Sequence, residues 1–128
     1  MITKESPLRG MNIGSPATVS IRELPGLNSI DLRVAPGSAA QAAIEERLGL
    51  VLPAKTGQTH SKGGDHIFCL APDAWLLVGY PDAIEQLAPL EAHHFSAVDV
   101  SGQRTTIELE GPNARAVLAH LWEQDLRE

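Results

Sequence analysis

Cysteine is nearly absent from the chain: Cys69 is the single one among 128 residues. One thiol excludes an internal disulfide framework and any zinc site built from several cysteines. Basic residues are also in short supply, ten against sixteen acidic ones, for a formal net charge of −6. That balance speaks against a nucleic acid partner, whose phosphates need a basic footprint. No apolar run approaches the roughly eighteen residues of a membrane-spanning helix. The segment 1–16 lacks an apolar stretch of signal-peptide length, so the expected compartment is the cytoplasm. Gly-x-Ser-x-Gly, P-loop and Gly-x-Gly-x-x-Gly patterns are all missing. Lys62-Gly63-Gly64 has no helix directly after it to present a positive dipole end to a phosphate.

What is present is enough for one small core. The apolar fraction is 43%, and Leu, Ile, Val and Phe supply about a quarter of the chain, which excludes global disorder. At 128 residues the length fits one domain. A flavin or dinucleotide with its own binding fold is hard to house in a core of that size.

Along the chain, Pro7, Gly10, Gly14 and Pro16 break up the first sixteen residues, which read as an extended N-terminal arm, 1–16. Residues 17–128 read as a single α+β domain. Val19 and Ile21 alternate with Thr18, Ser20 and Arg22 in a strand pattern, and Pro25-Gly26 makes a turn. Ile30, Leu32 and Val34 alternate with Asp31 and Arg33. Ser38 with Gln41 three residues later forms a capping box for a helix. Ala40, Ala43, Ile44 and Leu48 line one face of it, and Gly49 stops it. Residues 53–65 read as a loop. The apolar runs 67–71 and 74–79 form a hairpin covered on both faces. A second helix opens at Pro81 or Asp82, burying Ile84, Leu87 and Ala88. Residues 95–100 form a strand, and Ser101-Gly102 is a hairpin turn into a partner strand carrying Thr105, Ile107 and Leu109. Gly111-Pro112 starts a third helix with Ala114, Val117, Leu118 and Leu121 as its apolar stripe. Strand–helix–strand thus occurs twice, which points to ferredoxin-like split βαβ units, an antiparallel sheet with helices packed on one face.

Few residues carry chemistry. His93 and His94 are adjacent, so a strand would send them to opposite faces. His60, Asp65 and His66 could chelate weakly, but without the ligand spacing of known sites. Cys69 lies in an apolar run with no basic neighbour to activate it and reads as an inert buried thiol. Asp99 ends a core strand beside a turn, either as a structural acid capping backbone N–H groups or as an acid reaching into a pocket. Trp75 reads as core. Trp122 closes the last helix and is the candidate partner contact, since tryptophan anchors interfaces. No residue is assigned a catalytic, cofactor-binding or metal-ligating role.

Two stretches carry a family resemblance. Leu70-Ala-Pro-Asp-Ala-Trp-Leu-Leu-Val-Gly79 and Ser96-Ala-Val-Asp-Val-Ser-Gly-Gln-Arg-Thr-Thr-Ile-Glu-Leu-Glu-Gly-Pro-Asn-Ala-Arg-Ala-Val-Leu118 resemble the gamma subunit family of heterotetrameric sarcosine oxidase. That family runs Gly-Pro-Asp-Glu-Trp-Leu-Leu, then Val-Asp-Val-Ser, then Leu-x-Gly-Pro-x-Ala-Arg-x-Val-Leu. Ala71 and Ala74 stand where the family has Gly and Glu. The likeness covers residues 17 to 122 and extends to part of the aminomethyltransferase folate-binding fold.

The resemblance implies a non-catalytic structural subunit of a flavin-dependent complex for sarcosine catabolism. Such a complex oxidatively demethylates sarcosine or a related N-methyl amino acid and passes the one-carbon unit to tetrahydrofolate. It implies large alpha (FAD and NAD) and beta (FMN) subunits and a small, zinc-bearing delta subunit as partners, with no cofactor on this chain. Against the family layout the chain is short: either a final βαβ portion is missing, or a partner covers an open sheet edge. The alternative is a small stand-alone module, binding folate near Asp99 or a metal through His60, Asp65 and His66.

Overall fold

The computed structural model describes residues 5–126. The chain divides into two compact units, one made of residues up to Gly26 together with those from Thr105 onward, the other of Leu27–Arg104. The expected 17–128 domain is therefore shared between two units. The expected 1–16 arm contains a strand; residues 1–4 and 127–128 of these ranges lie outside the described residues.

The second unit is a five-stranded antiparallel sheet. Its strands are β3 (Ser29–Val34), β4 (Thr59–Lys62), β5 (Asp65–Ala71), β6 (Ala74–Val78) and β7 (Phe95–Asp99), in the order β4-β5-β6-β3-β7. Helix α1 (Ala39–Leu48) follows β3, and α2 (Ala83–Leu87) with a 3₁₀ turn (Ala88–Leu90) follows β6. Because β3 runs antiparallel to both β6 and β7, β6–α2–β7 is a βαβ unit split by β3. By the same logic β3, α1 and β5 form a second one, split by β6. The expected ferredoxin-like scheme is thus present, with β4 added at its edge.

Alternation explains which face is buried. Ile30, Leu32 and Val34 point one way along β3 and are all buried. They meet Ile67, Cys69, Trp75 and Leu77 from the sheet and Ala40, Ile44, Ala83 and Leu87 from the helices in one core. The α1 cap forms as the sequence dictates: Gln41 N–H donates to Ser38 Oγ at 3.1 Å. The return bond is displaced by one residue, since Gln41 Oε1 accepts from Gly37 N–H at 2.7 Å. In α2 the buried residues are Ala83 and Leu87; Ile84 and Ala88 of the expected stripe are exposed. The α-helix ends at Leu87, and Ala88 belongs to the 3₁₀ turn that follows it.

The first unit is a three-stranded antiparallel sheet, β1 (Asn12–Ser15), β2 (Val19–Glu23) and β8 (Ile107–Glu110), in the order β1-β2-β8, with α3 (Ala114–Leu121). Ile13, Ile21 and Leu109 lie opposite one another across the three strands. The other face carries Arg22 opposite Glu108, paired at 2.6 Å. Gly111, at φ 124, brings the β8–α3 turn against the Thr18 carbonyl, where a Cβ would sit 2.5 Å from the oxygen. Asn113 N–H donates to the same carbonyl at 2.9 Å. The close approach accounts for the glycine at 111, and Pro112 falls one residue ahead of the Asn113 N-cap.

Three local expectations are corrected. The strands at 95–100 and 105–109 are not a hairpin: β7 pairs with β3, while β8 pairs with β2 in the other sheet. Alternation fixes which face a strand buries, not which strand it pairs with. The 53–65 loop contains β4, whose four residues are all exposed and so lack any apolar alternation. β1 was hidden in the arm for the same reason, every residue in it being exposed. No helix among the described residues is long and apolar enough to cross a membrane.

Candidate functional site

Asp99 ends β7 and its carboxylate turns back on its own chain. Asp99 Oδ1 accepts from Ser101 N–H at 2.9 Å and from Ser101 Oγ–H at 2.6 Å. Ser101 Oγ in turn accepts from Ser29 N–H at 2.9 Å, tying the turn to the start of β3. This is a side-chain-mimicked turn, in which a short acid satisfies backbone donors two residues on.

Trp122 follows the last turn of α3 and is 53% exposed; Leu121 beside it is 79% exposed. Met11, Ile13 and Ile107 in the same unit are each about half exposed. Single exposed apolar residues are ordinary on protein surfaces, whereas a contiguous group of large ones marks an interaction site.

The residues weighed for metal or nucleophilic chemistry have other occupations. His60 Nδ1 lies 2.9 Å from the Val51 carbonyl, and His66 Nδ1 lies 2.8 Å from Ser61 Oγ. His66 also stacks on Phe68, ring centroids 5.9 Å apart. No group of three or more His, Cys, Asp or Glu is placed to hold a metal ion among the described residues. Cys69 is buried in the core, as expected.

The second unit carries a groove of about 740 Å3 that sequence reading missed. The end of α1 and the segment after it form one wall through Leu48, Leu50 and Val51; β4 and the β4–β5 turn form another; Ile67 and Tyr80 complete the apolar lining. Glu45, Glu46 and Asp65 set three carboxylates around it against Lys62. Glu45 Oε1 is already occupied, accepting from Leu52 N–H at 2.8 Å and Gln41 Nε2–H at 3.1 Å. Burial, and after it the nearby Asp65 carboxylate, push the Tyr80 phenol above its usual pKa of 10.0, so it stays a hydrogen-bond donor. Gly79, at φ 91, permits Asp65 to stand there: a Cβ at this position would lie 2.3 Å from Asp65 Oδ1. The groove draws on three separated segments, so no local pattern announces it. Val51, two residues after the Gly49 helix stop, is an apolar residue of this wall that ends up 64% exposed.

One more group was missed. Glu23 occupies the apolar face of β2, in step with Val19 and Ile21, and is only 6% exposed. Its Oε2 accepts from Ser6 Oγ–H and Gly10 N–H, both at 2.7 Å, and Oε1 accepts from Leu8 N–H at 3.5 Å. Burial alone would raise its pKa. The bonds from Ser6, Gly10 and Leu8 outweigh that and hold it below the ordinary 4.5. A carboxylate breaking an apolar alternation is the signal that flags such a clasp.

Residues 33–127 match the sarcosine oxidase, gamma subunit family. The chain is 32% identical over 126 residues to the sarcosine oxidase subunit gamma of Arthrobacter sp, covering 95% of this chain and 61% of that protein. It is 35% identical over 113 residues to the sarcosine oxidase subunit gamma of Corynebacterium sp. (strain P-1), covering 85% of this chain and 56% of that one. Among solved structures it is similar to a chain of the heterotetrameric sarcosine oxidase from Corynebacterium sp. U-96 in complex with pyrrole 2-carboxylate. There the TM-score is 0.80 at 29% identity, over 91% of this chain and 62% of that one. The chain spans less than two thirds of the length of these relatives.

Proposed function

The chain belongs to the sarcosine oxidase gamma subunit family, and on that premise we propose that it is a non-catalytic assembly subunit of a heterotetrameric, flavin-dependent oxidase. The complex oxidatively demethylates sarcosine or a related N-methyl amino acid and hands the one-carbon unit to tetrahydrofolate. Its partners are a large alpha subunit with FAD and NAD, a large beta subunit with FMN, and a small delta subunit with zinc. The assembly works in the cytoplasm.

The family match over residues 33–127, joined to the 0.80 TM-score, carries this reading. The chemistry of the chain supports it. Asp99 spends its carboxylate on its own turn, and Cys69 is enclosed in the core. The notable surface features are apolar: Leu121 and Trp122 on one unit, and the groove beside Val51 on the other. An obligate interface buries surface of this kind.

Purification of the tagged chain from its own host is the test. The expected result is retention of two large yellow subunits through the wash, with a flavin spectrum in the eluate. Elution of the chain by itself, at high yield and without flavin, would overturn the reading.

A further inference from the structure

Resting on that assembly role, we propose that the groove between the end of α1 and the β4–β5 hairpin seats a basic segment of another subunit, anchored by an apolar side chain. The shape selects against a small cofactor. Small-molecule sites are concavities that enclose most of their ligand; here Val51 on one wall is 64% exposed and residues 60–63 on the other are exposed throughout, so the groove is open along its length. A groove open along one side suits a chain lying across it with one side chain turned inward.

The lining sets the chemistry of that segment. Leu48, Leu50, Ile67 and the ring of Tyr80 give the inward side chain an apolar bed. Glu46 and Asp65 line the groove together with Lys62, and Glu45, whose Oε1 accepts from Leu52 N–H, adds a third carboxylate to the lining. The C-terminal end of α1 points the same way, with the negative end of its dipole at Gly49. Lysine or arginine flanking the anchor therefore meets an attractive field, and an acidic segment meets a repulsive one. The wall itself offers more: β4 is the last strand of its sheet, and its outer side pairs with no strand among the described residues. An extended segment finds backbone donors and acceptors there.

The test uses the full chain in its co-purified complex. Val51→Asp and Glu46→Lys change exposed groove residues; Glu85→Lys, on the exposed side of α2, is the control. The wild type and the control are expected to retain the other subunits, while each groove variant loses retention at least tenfold. Retention by the groove variants equal to that of the control overturns the groove proposal and leaves the assembly role standing. Failure of the wild type overturns the assembly role and this proposal with it. A photo-crosslinking residue at position 51 gives an arm that does not depend on a disruptive variant. It is expected to join a segment of another subunit with Lys or Arg beside an apolar residue. A crosslink to an acidic segment, or none, overturns the proposal.

Discussion

The Trp75 indole N–H donates to the Pro53 carbonyl at 2.9 Å, both groups being buried. The bond ties β6 to the segment that leaves α1, at the centre of the second unit. It also gives the Trp in the Leu70–Gly79 stretch a structural purpose. Trp75→Phe removes the donor, leaves the carbonyl unpaired in the core and opens a small void. The expected cost is about 2–4 kcal/mol, read as a lower urea midpoint with unchanged m-value by circular dichroism.

Gly79 and Asp65 form the second testable pair. Gly79→Ala combines a left-handed backbone with a Cβ placed against the Asp65 carboxylate. Gly37→Ala has the same backbone problem, φ 70, with nothing within 4 Å. The Gly37 variant should lose about 1–2 kcal/mol, and the Gly79 variant clearly more. Asp65→Ala in the Gly79→Ala background should return part of the difference. Equal losses at the two glycines would remove the steric account.

Glu23 sets a pH dependence whose sign follows from its lowered pKa. A carboxyl held below its unfolded value contributes stability above the ordinary 4.5, and that contribution fades as pH falls through the folded pKa. The amide resonances of Leu8 and Gly10 should therefore titrate with a midpoint below 4.5. In Glu23→Gln that transition should vanish, and the loss of stability on acidification should shrink. A midpoint above 4.5 in the wild type would contradict the clasp.

Asp99 provides a functional contrast. Asp99→Ala deletes the acceptor for both Ser101 bonds, so a loss of about 1–2 kcal/mol is expected. Oxidase turnover per assembled flavin should not change. A drop in turnover with stability intact would give Asp99 a pocket role instead.

How much of this was legible depends on whether a feature is local. β3 with its alternating Ile30, Leu32 and Val34, the Ser38–Gln41 cap, and the apolar β5–β6 hairpin follow from neighbouring residues and could be read directly. The pairing of β8 with β2 could not, because Ile107 and Leu109 alternate equally well for any sheet edge. β1 and β4 escaped because fully exposed strands carry no apolar rhythm. The groove escaped because Leu48, Ile67 and Tyr80 come together only through tertiary structure. Gly111-Pro112 was legible as the start of a helix, but the contact it makes is with the Thr18 carbonyl, more than ninety residues earlier in the chain.

The central claim is that this chain works as part of a larger flavoprotein. The molar mass of the tagged chain as it leaves its own host, by size exclusion with in-line light scattering, tests that most directly. The account predicts a particle many times heavier than 13.7 kDa, with flavin absorbance tracking the mass peak. A colourless, monodisperse species at 13.7 kDa would contradict it.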